Sequence, residues 1–123
     1  MRYLVLLAQD ERVWPTLTDA EQADYMRAHV DFSREVQTRA TMLAGEALAG
    51  VEAATTLRHE RGHGGDWAVV TDGPFAETTE QLGGFYLLDA PDLDTVLELC
   101  RLLPHAYTIE VRPAVQVELP ESG

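Results

Sequence analysis

Residues 70–89 read Val70-Thr71-Asp72-Gly73-Pro74-Phe75-Ala76-Glu77-Thr78-Thr79-Glu80-Gln81-Leu82-Gly83-Gly84-Phe85-Tyr86-Leu87-Leu88-Asp89. Within them, Asp72-Gly73-Pro74-Phe75-Ala76-Glu77 has the chemistry of a tight connection. Gly tolerates unusual dihedrals, Pro fixes its own φ, and an Asp carboxylate can accept from a backbone amide two residues on. Phe75 is expected to serve as an apolar plug. Strands are predicted on either side, Trp67 to Thr71 before the connection and Phe85 to Leu88 after it, with Gly83-Gly84 leading in.

Upstream, residues 3–8 form a short continuous apolar run, which suits a central strand covered on both faces. Thr18-Asp19-Ala20-Glu21 reads as a capping box that opens a helix over about 19–40. Tyr25, His29, Phe32, Val36 and Ala40 fall on one face of it, whereas Asp24, Arg27, Asp31, Arg34 and Glu35 lie mostly away. Met42 to Leu48 and Ala54 to Arg58 read as further strands, and Glu60 to Asp66 as a glycine-rich turn.

Downstream, Asp92 is placed to cap a second helix with an apolar stripe of Leu93, Val96, Leu97, Cys100 and Leu103, stopped by Pro104. From Tyr107 to Glu118 the pattern alternates. Ile109, Val111, Pro113, Val115 and Val117 share one face, and Thr108, Glu110, Arg112, Ala114 and Gln116 share the other. The predicted class is α+β: a ferredoxin-like βαββαβ domain over residues 1–119, with two helices on one face of an antiparallel sheet and a frayed tail at 120–123. The first strand is too apolar to leave its other face in water. A homodimer packed through that face is expected, with the chain itself as partner.

Bulk properties narrow the function classes. The 123 residues are 46% hydrophobic and carry a formal net charge of −12. That much negative charge disfavours nucleic acid, whose recognition needs a basic stripe, and anionic membranes alike. The one cysteine, Cys100, sits on an apolar helical stripe and has no internal disulfide partner. Six apolar residues after Arg2 are too few for an export signal, so a cytoplasmic protein is expected.

The 70–89 stretch resembles the signature of the YCII-related family, in its DGPF-motif subgroup. Met1-Arg2-Tyr3-Leu4 opens like the family, Gly45-Glu46-Ala47-Leu48 is similar to its Gly-Glu-x-Leu strand, and Ile109-Glu110-Val111-Arg112-Pro113 is similar to its Val-Glu-Val-Arg-Pro ending. The resemblance implies a ferredoxin-like dimeric α/β-barrel. It implies little chemistry, because most members are small bacterial proteins without an assigned reaction. Some DGPF proteins are associated with sigma factors of the extracytoplasmic-function type. More distant relatives include a dehydrochlorinase-type enzyme and share a His/Asp acid–base pair. The spacing around His29 differs from theirs, so the candidates here stand on their own chemistry.

His29 is the candidate for proton transfer, because imidazole titrates near working pH and this one lies on the packing face of its helix. Asp72 and Glu77 are its candidate partners, with Asp72 as base or orienter at a strand end. Arg112 is a candidate anion clamp, satisfied otherwise by Glu110 at i−2 or by Glu46. Tyr86 and His105 are further candidate ligand contacts. His59, His63 and Asp66 lack a framework that would preorganise them, so a hairpin tip is expected there rather than a metal centre. Gly83-Gly84 does not lead from a strand into a helix, which excludes a phosphate loop. No cofactor is expected. These residues point to a small-molecule lyase or isomerase working by His/Asp acid–base chemistry. The alternative is a non-catalytic accessory or regulatory ligand-binding module linked to sigma-factor signalling.

Overall fold

A computed structural model describes residues 1–60 and 67–120. Its elements are β1 (Arg2–Gln9), α1 (Asp19–Arg39), β2 (Thr41–Ala47), β3 (Thr55–Glu60), β4 (Trp67–Asp72), β5 (Gln81–Asp89), α2 (Leu93–Cys100) and β6 (Thr108–Pro113). Short 3-10 turns at Trp14–Thr16 and Val51–Ala53 join β1 to α1 and β2 to β3. Four strands form an antiparallel sheet in the order β2-β5-β1-β6, and β3 pairs with β4 as a separate two-stranded hairpin. This is the ferredoxin-like arrangement, with the β3–β4 hairpin inserted between its second and third strands.

Local chemistry sets the helix starts. The Thr18 hydroxyl accepts from the Glu21 amide at 3.1 Å, and the Glu21 carboxylate accepts from the Thr18 amide at 2.9 Å, closing the expected capping box. Asp92 caps α2 by accepting from the Thr95 amide at 2.8 Å.

The core lies between the sheet and the two helices. Tyr3, Val5 and Leu7 of β1 and Leu88 of β5 pack against Phe32 and Val36 of α1 and Val96, Leu99 and Cys100 of α2. Burial pushes the Cys100 thiol up to about 11, as expected of a core cysteine. On the other face Leu4 and Leu6 of β1 lie opposite Leu87 and Phe85 of β5, and all four are only half-buried. Glu46 of β2 and Glu110 and Arg112 of β6 flank that apolar strip.

Three boundaries differ from the sequence reading. The inward stripe of α2 is Val96, Leu99, Cys100 and Leu103, while Leu93 and Leu97 are 44% and 46% exposed. Those positions follow an i, i+3, i+4, i+7 spacing; Leu97 lies off that face, and Leu93 is the first residue of the helix, at its exposed end. β5 begins at Gln81, so Gly83 and Gly84 are inside the strand; a Cβ on Gly84 would lie 3.0 Å from the Glu46 carbonyl oxygen. β6 ends at Pro113, opposite Tyr3, because β1 has almost no residues left to pair and Pro113 has no N–H. Val115, Val117 and Leu119 consequently stand 69–82% exposed. Among the described residues no helix is long and apolar enough to cross a membrane.

Candidate functional site

The inward face of α1 carries His29 one turn before Phe32, which holds the imidazole over the middle of the sheet. From below, Tyr86 of β5 reaches its Nδ1 at 2.7 Å, and Tyr107, just ahead of β6, reaches its Nε2 at 2.9 Å. Tyr25, one turn earlier on α1, packs against both His29 and Tyr107, with ring centroids 5.6 and 5.4 Å apart. Its hydroxyl donates to Gln9 Oε1 at 2.8 Å, and Trp14 packs edge-on against its ring. The result is a half-buried cage of three phenols around one imidazole, with an indole packed behind Tyr25.

Glycine makes room for this cage. Gly45 of β2 lies opposite Tyr86, and a Cβ there would come within 2.6 Å of Tyr86 Cδ1. The Tyr86 ring therefore spreads over the glycine and packs at a tilt of 43° against Phe32, with ring centroids 4.7 Å apart. This packing aims its hydroxyl at His29.

The electrostatics are those of a neutral site. Burial lowers the pKa of His29, and no carboxylate contributes to its environment. Burial raises Tyr86, Tyr107 and Tyr25 above the ordinary phenol value, with the Ser33 hydroxyl opposing part of the rise at Tyr86. A neutral imidazole donates from one nitrogen and accepts at the other. One tyrosine thus donates to the ring and the other accepts from it, and no buried side-chain polar atom among the described residues lacks a partner. Such a ring is fixed in orientation and able to pass a proton. Its outer edge opens on a shallow depression of about 340 Å³, lined by Met26, His29, Val30, Ser33, Arg34 and Gln37.

Asp72 and Glu77 lie elsewhere. Asp72 is the exposed last residue of β4, opposite Thr55, and makes no side-chain hydrogen bond among the described residues. It cannot accept from the amide two residues on, because that residue is Pro74, which has none. The turn is held instead by Gly73 N–H to the Ala54 carbonyl and by Thr56 Oγ1 to the Gly73 carbonyl, both at 2.7 Å. Arg58 adds a bond to the Phe75 carbonyl at 2.6 Å, and Gly73 takes a φ of +99°. Phe75 plugs nothing in its own chain and is 78% exposed. With Glu77, Leu48, Val51 and Leu82 it lines a groove of about 820 Å³ between the hairpin and the main sheet.

Arg112 donates from Nε to Glu110 Oε2 at 2.5 Å, the i, i+2 pair anticipated on the open face. Glu46 is not its partner: β2 and β6 are opposite edges of the sheet, three strand spacings or roughly 14 Å apart. His105 is exposed in the loop after Pro104, with no hydrogen bond among the described residues. His59 is exposed on β3, and His63 and Asp66 fall outside the described residues. No group of three His, Cys, Asp or Glu suited to a metal occurs among those described. Of the sequence candidates, the structure brings His29 and Tyr86 together. It adds Tyr107 and Tyr25, and Tyr107 had a signal of its own, standing two residues before Ile109 on the inward face of the last strand.

Comparison with known proteins bears on the whole chain rather than on this cage. An uncharacterised protein of Rhizobium meliloti (strain 1021) is 38% identical over 117 residues, covering 92% of this chain and 91% of that protein. The YCII-related domain matches residues 1–117, and the chain belongs to that family.

Proposed function

We propose that this YCII-related protein, of the DGPF-motif branch, is a cytoplasmic homodimer that handles a small molecule by cofactor-free proton transfer at His29. Elimination and isomerisation are the reaction types that need only this. One observation carries the reading: both nitrogens of a half-buried imidazole are held by phenols, at 2.7 and 2.9 Å, beside a depression open to solvent. Tyr86 and Tyr107 perform the orienting role that the sequence reading gave to Asp72, and His29 moves the proton. Its lowered pKa favours the neutral ring at neutral pH, and a proton reaches its acceptor nitrogen by way of the tyrosine hydroxyl bonded there.

The homodimer is supported by the half-buried Leu4, Leu6, Phe85 and Leu87, which a second copy would cover, with Glu46, Glu110 and Arg112 at the rim. Sedimentation should report a dimer that Leu6→Glu dissociates. A wild-type monomer across micromolar concentrations would sink this part.

For the chemistry, small carbon acids bearing an α-carbonyl or a β-leaving group are incubated with the protein in deuterium oxide and followed by proton NMR. Wild type is expected to exchange or eliminate at least one of them, and His29→Gln to do so about 100-fold more slowly. Equal rates in the two proteins would remove His29 from the mechanism.

A second reading, a non-catalytic accessory or regulatory module linked to sigma-factor signalling, is favoured by the 78% exposure of Phe75 at the 820 Å³ groove. A thermal-shift screen separates the two. Compounds that stabilise wild type and His29→Ala alike, but not Phe75→Ala, support the module.

A further inference from the structure

We propose that the depression beside His29 takes a small monocarboxylate, its carboxylate held by Arg34 and its alkyl part lying toward Met26 and Val30. This rests on the reading of His29 as the proton-transfer group and names the class of molecule it would serve. Ser33 and Arg34 follow His29 by one turn of α1, and all three line the same depression. Among the described residues Arg12, Arg27, Arg39 and Arg112 are engaged with Asp10, Asp24, Glu98 and Glu110. Arg34, like Arg2, Arg58 and Arg101, has no carboxylate partner among the described residues, and of these it is the one that lines the depression, in a chain of net charge −12. A free guanidinium offers two parallel donors to a carboxylate, which a lysine ammonium cannot.

Size and charge narrow the class. About 340 Å³ is at the lower end of ligand sites, which suits a small molecule. A lone cation with Asp31 and Glu35 nearby on the same helix suits a monoanion better than a phosphate dianion. Met26 and Val30, 54% and 52% exposed, supply apolar surface that an alkyl group would cover. The carboxylate anchor would place the adjacent carbons toward His29. Arg34 thereby takes the anion-binding role that Arg112, already held by Glu110, is poorly placed to fill.

The test is a heteronuclear NMR titration of the full chain with propionate, propionamide and inorganic phosphate. Propionate is expected to move the His29 ring and Arg34 guanidinium resonances, with propionamide inert and phosphate weaker. Arg34→Gln should weaken propionate by at least about tenfold, and Arg34→Lys should restore part of it. No response to propionate in wild type, unchanged binding in Arg34→Gln, or equal binding of propionamide overturns the proposal. So does a response lost in Arg112→Gln but kept in Arg34→Gln. Propionate binding at Arg34 without proton exchange on any carbon acid refutes the proton-transfer reading and leaves this site standing. Exchange that is equally fast in Arg34→Gln refutes the carboxylate site and leaves His29 in place.

Discussion

Phe32 is fully buried beneath the His29 cage, whereas Phe75, in the turn after β4, is 78% exposed. The surroundings of the two phenylalanines differ as much as their exposure. Above Phe32, His29 is tied across long stretches of chain, to Tyr86 over 57 residues and to Tyr107 over 78. Around Phe75 the bonds are short in sequence, from Thr56 and Arg58 to carbonyls 17 residues on. The first region is defined by packing and the second by backbone geometry. A conspicuous sequence motif and a preorganised chemical site are therefore different places in this molecule.

The largest effect should separate the two phenylalanines directly. Phe32→Ala removes a fully buried aromatic side chain between α1 and Tyr86 and is expected to cost about 3–5 kcal/mol in urea unfolding. Phe75→Ala should stay within about 0.5 kcal/mol, since its ring meets mostly solvent. A cost at Phe75 approaching that at Phe32, appearing only at high protein concentration, would mean a second copy covers the turn.

Two glycines extend the contrast. Gly45→Ala places a Cβ 2.6 Å from Tyr86 Cδ1, so the ring must shift, at about 1–3 kcal/mol. Gly73→Ala meets no atom within 4 Å but must hold a φ of +99°, a strain of about 1–2 kcal/mol. Stability alone barely distinguishes them. The His29 ring resonances do: they should move in Gly45→Ala and stay in place in Gly73→Ala. Movement in both would couple the turn to the cage and break the comparison.

Much of this architecture is legible in the sequence because its causes are local. The Thr18–Glu21 box, the alternation of Ile109 and Val111, and the Glu110–Arg112 pair each act over a few residues, and all are found. What is not legible depends on strand order and rotation. Glu46 and Arg112 can pair as far as sequence goes, but the order β2-β5-β1-β6 puts them on opposite edges. The stripe of α2 could be rotated toward Leu97 or toward Leu99, and only the sheet beneath it chooses Leu99. His29 was readable as an inward-facing imidazole, but its partners were not. Tyr107 precedes its strand, and Tyr86 is aimed by a glycine on the neighbouring one.

Removing one phenol at a time gives a smaller effect. Tyr86→Phe or Tyr107→Phe deletes one bond to His29 and should cost about 0.5–1.5 kcal/mol. Asp72→Asn, with no side-chain hydrogen bond among the described residues, should cost close to nothing. In a double-mutant cycle with His29→Gln each tyrosine should show coupling, and Asp72 none. Coupling between Asp72 and His29 would restore the acid–base pair that this single chain does not bring into contact.

The smallest effect is a dependence on pH, and its sign follows from burial. His29 has its pKa lowered in the folded protein from the 6.5 of a free imidazole. Between those two values the unfolded chain binds more protons than the folded one, so folding stability rises with pH. The contribution is complete above about 6.5 and is lost as pH falls through the folded value. Asp10, held at about 2 by Arg12, and the lowered Glu21 and Asp92 follow the same direction but titrate in the acid range below 4.5. A fall in melting temperature that begins just below pH 6.5 therefore belongs to a buried histidine. His29→Gln should flatten that part of the curve and leave the carboxylate part unchanged. The exposed His59 and His105 lie outside the cage, so replacing them should leave the early fall intact. If their replacement removes it, His29 is better solvated than its two phenol contacts imply, and the distinction between a packed site and an exposed turn weakens accordingly.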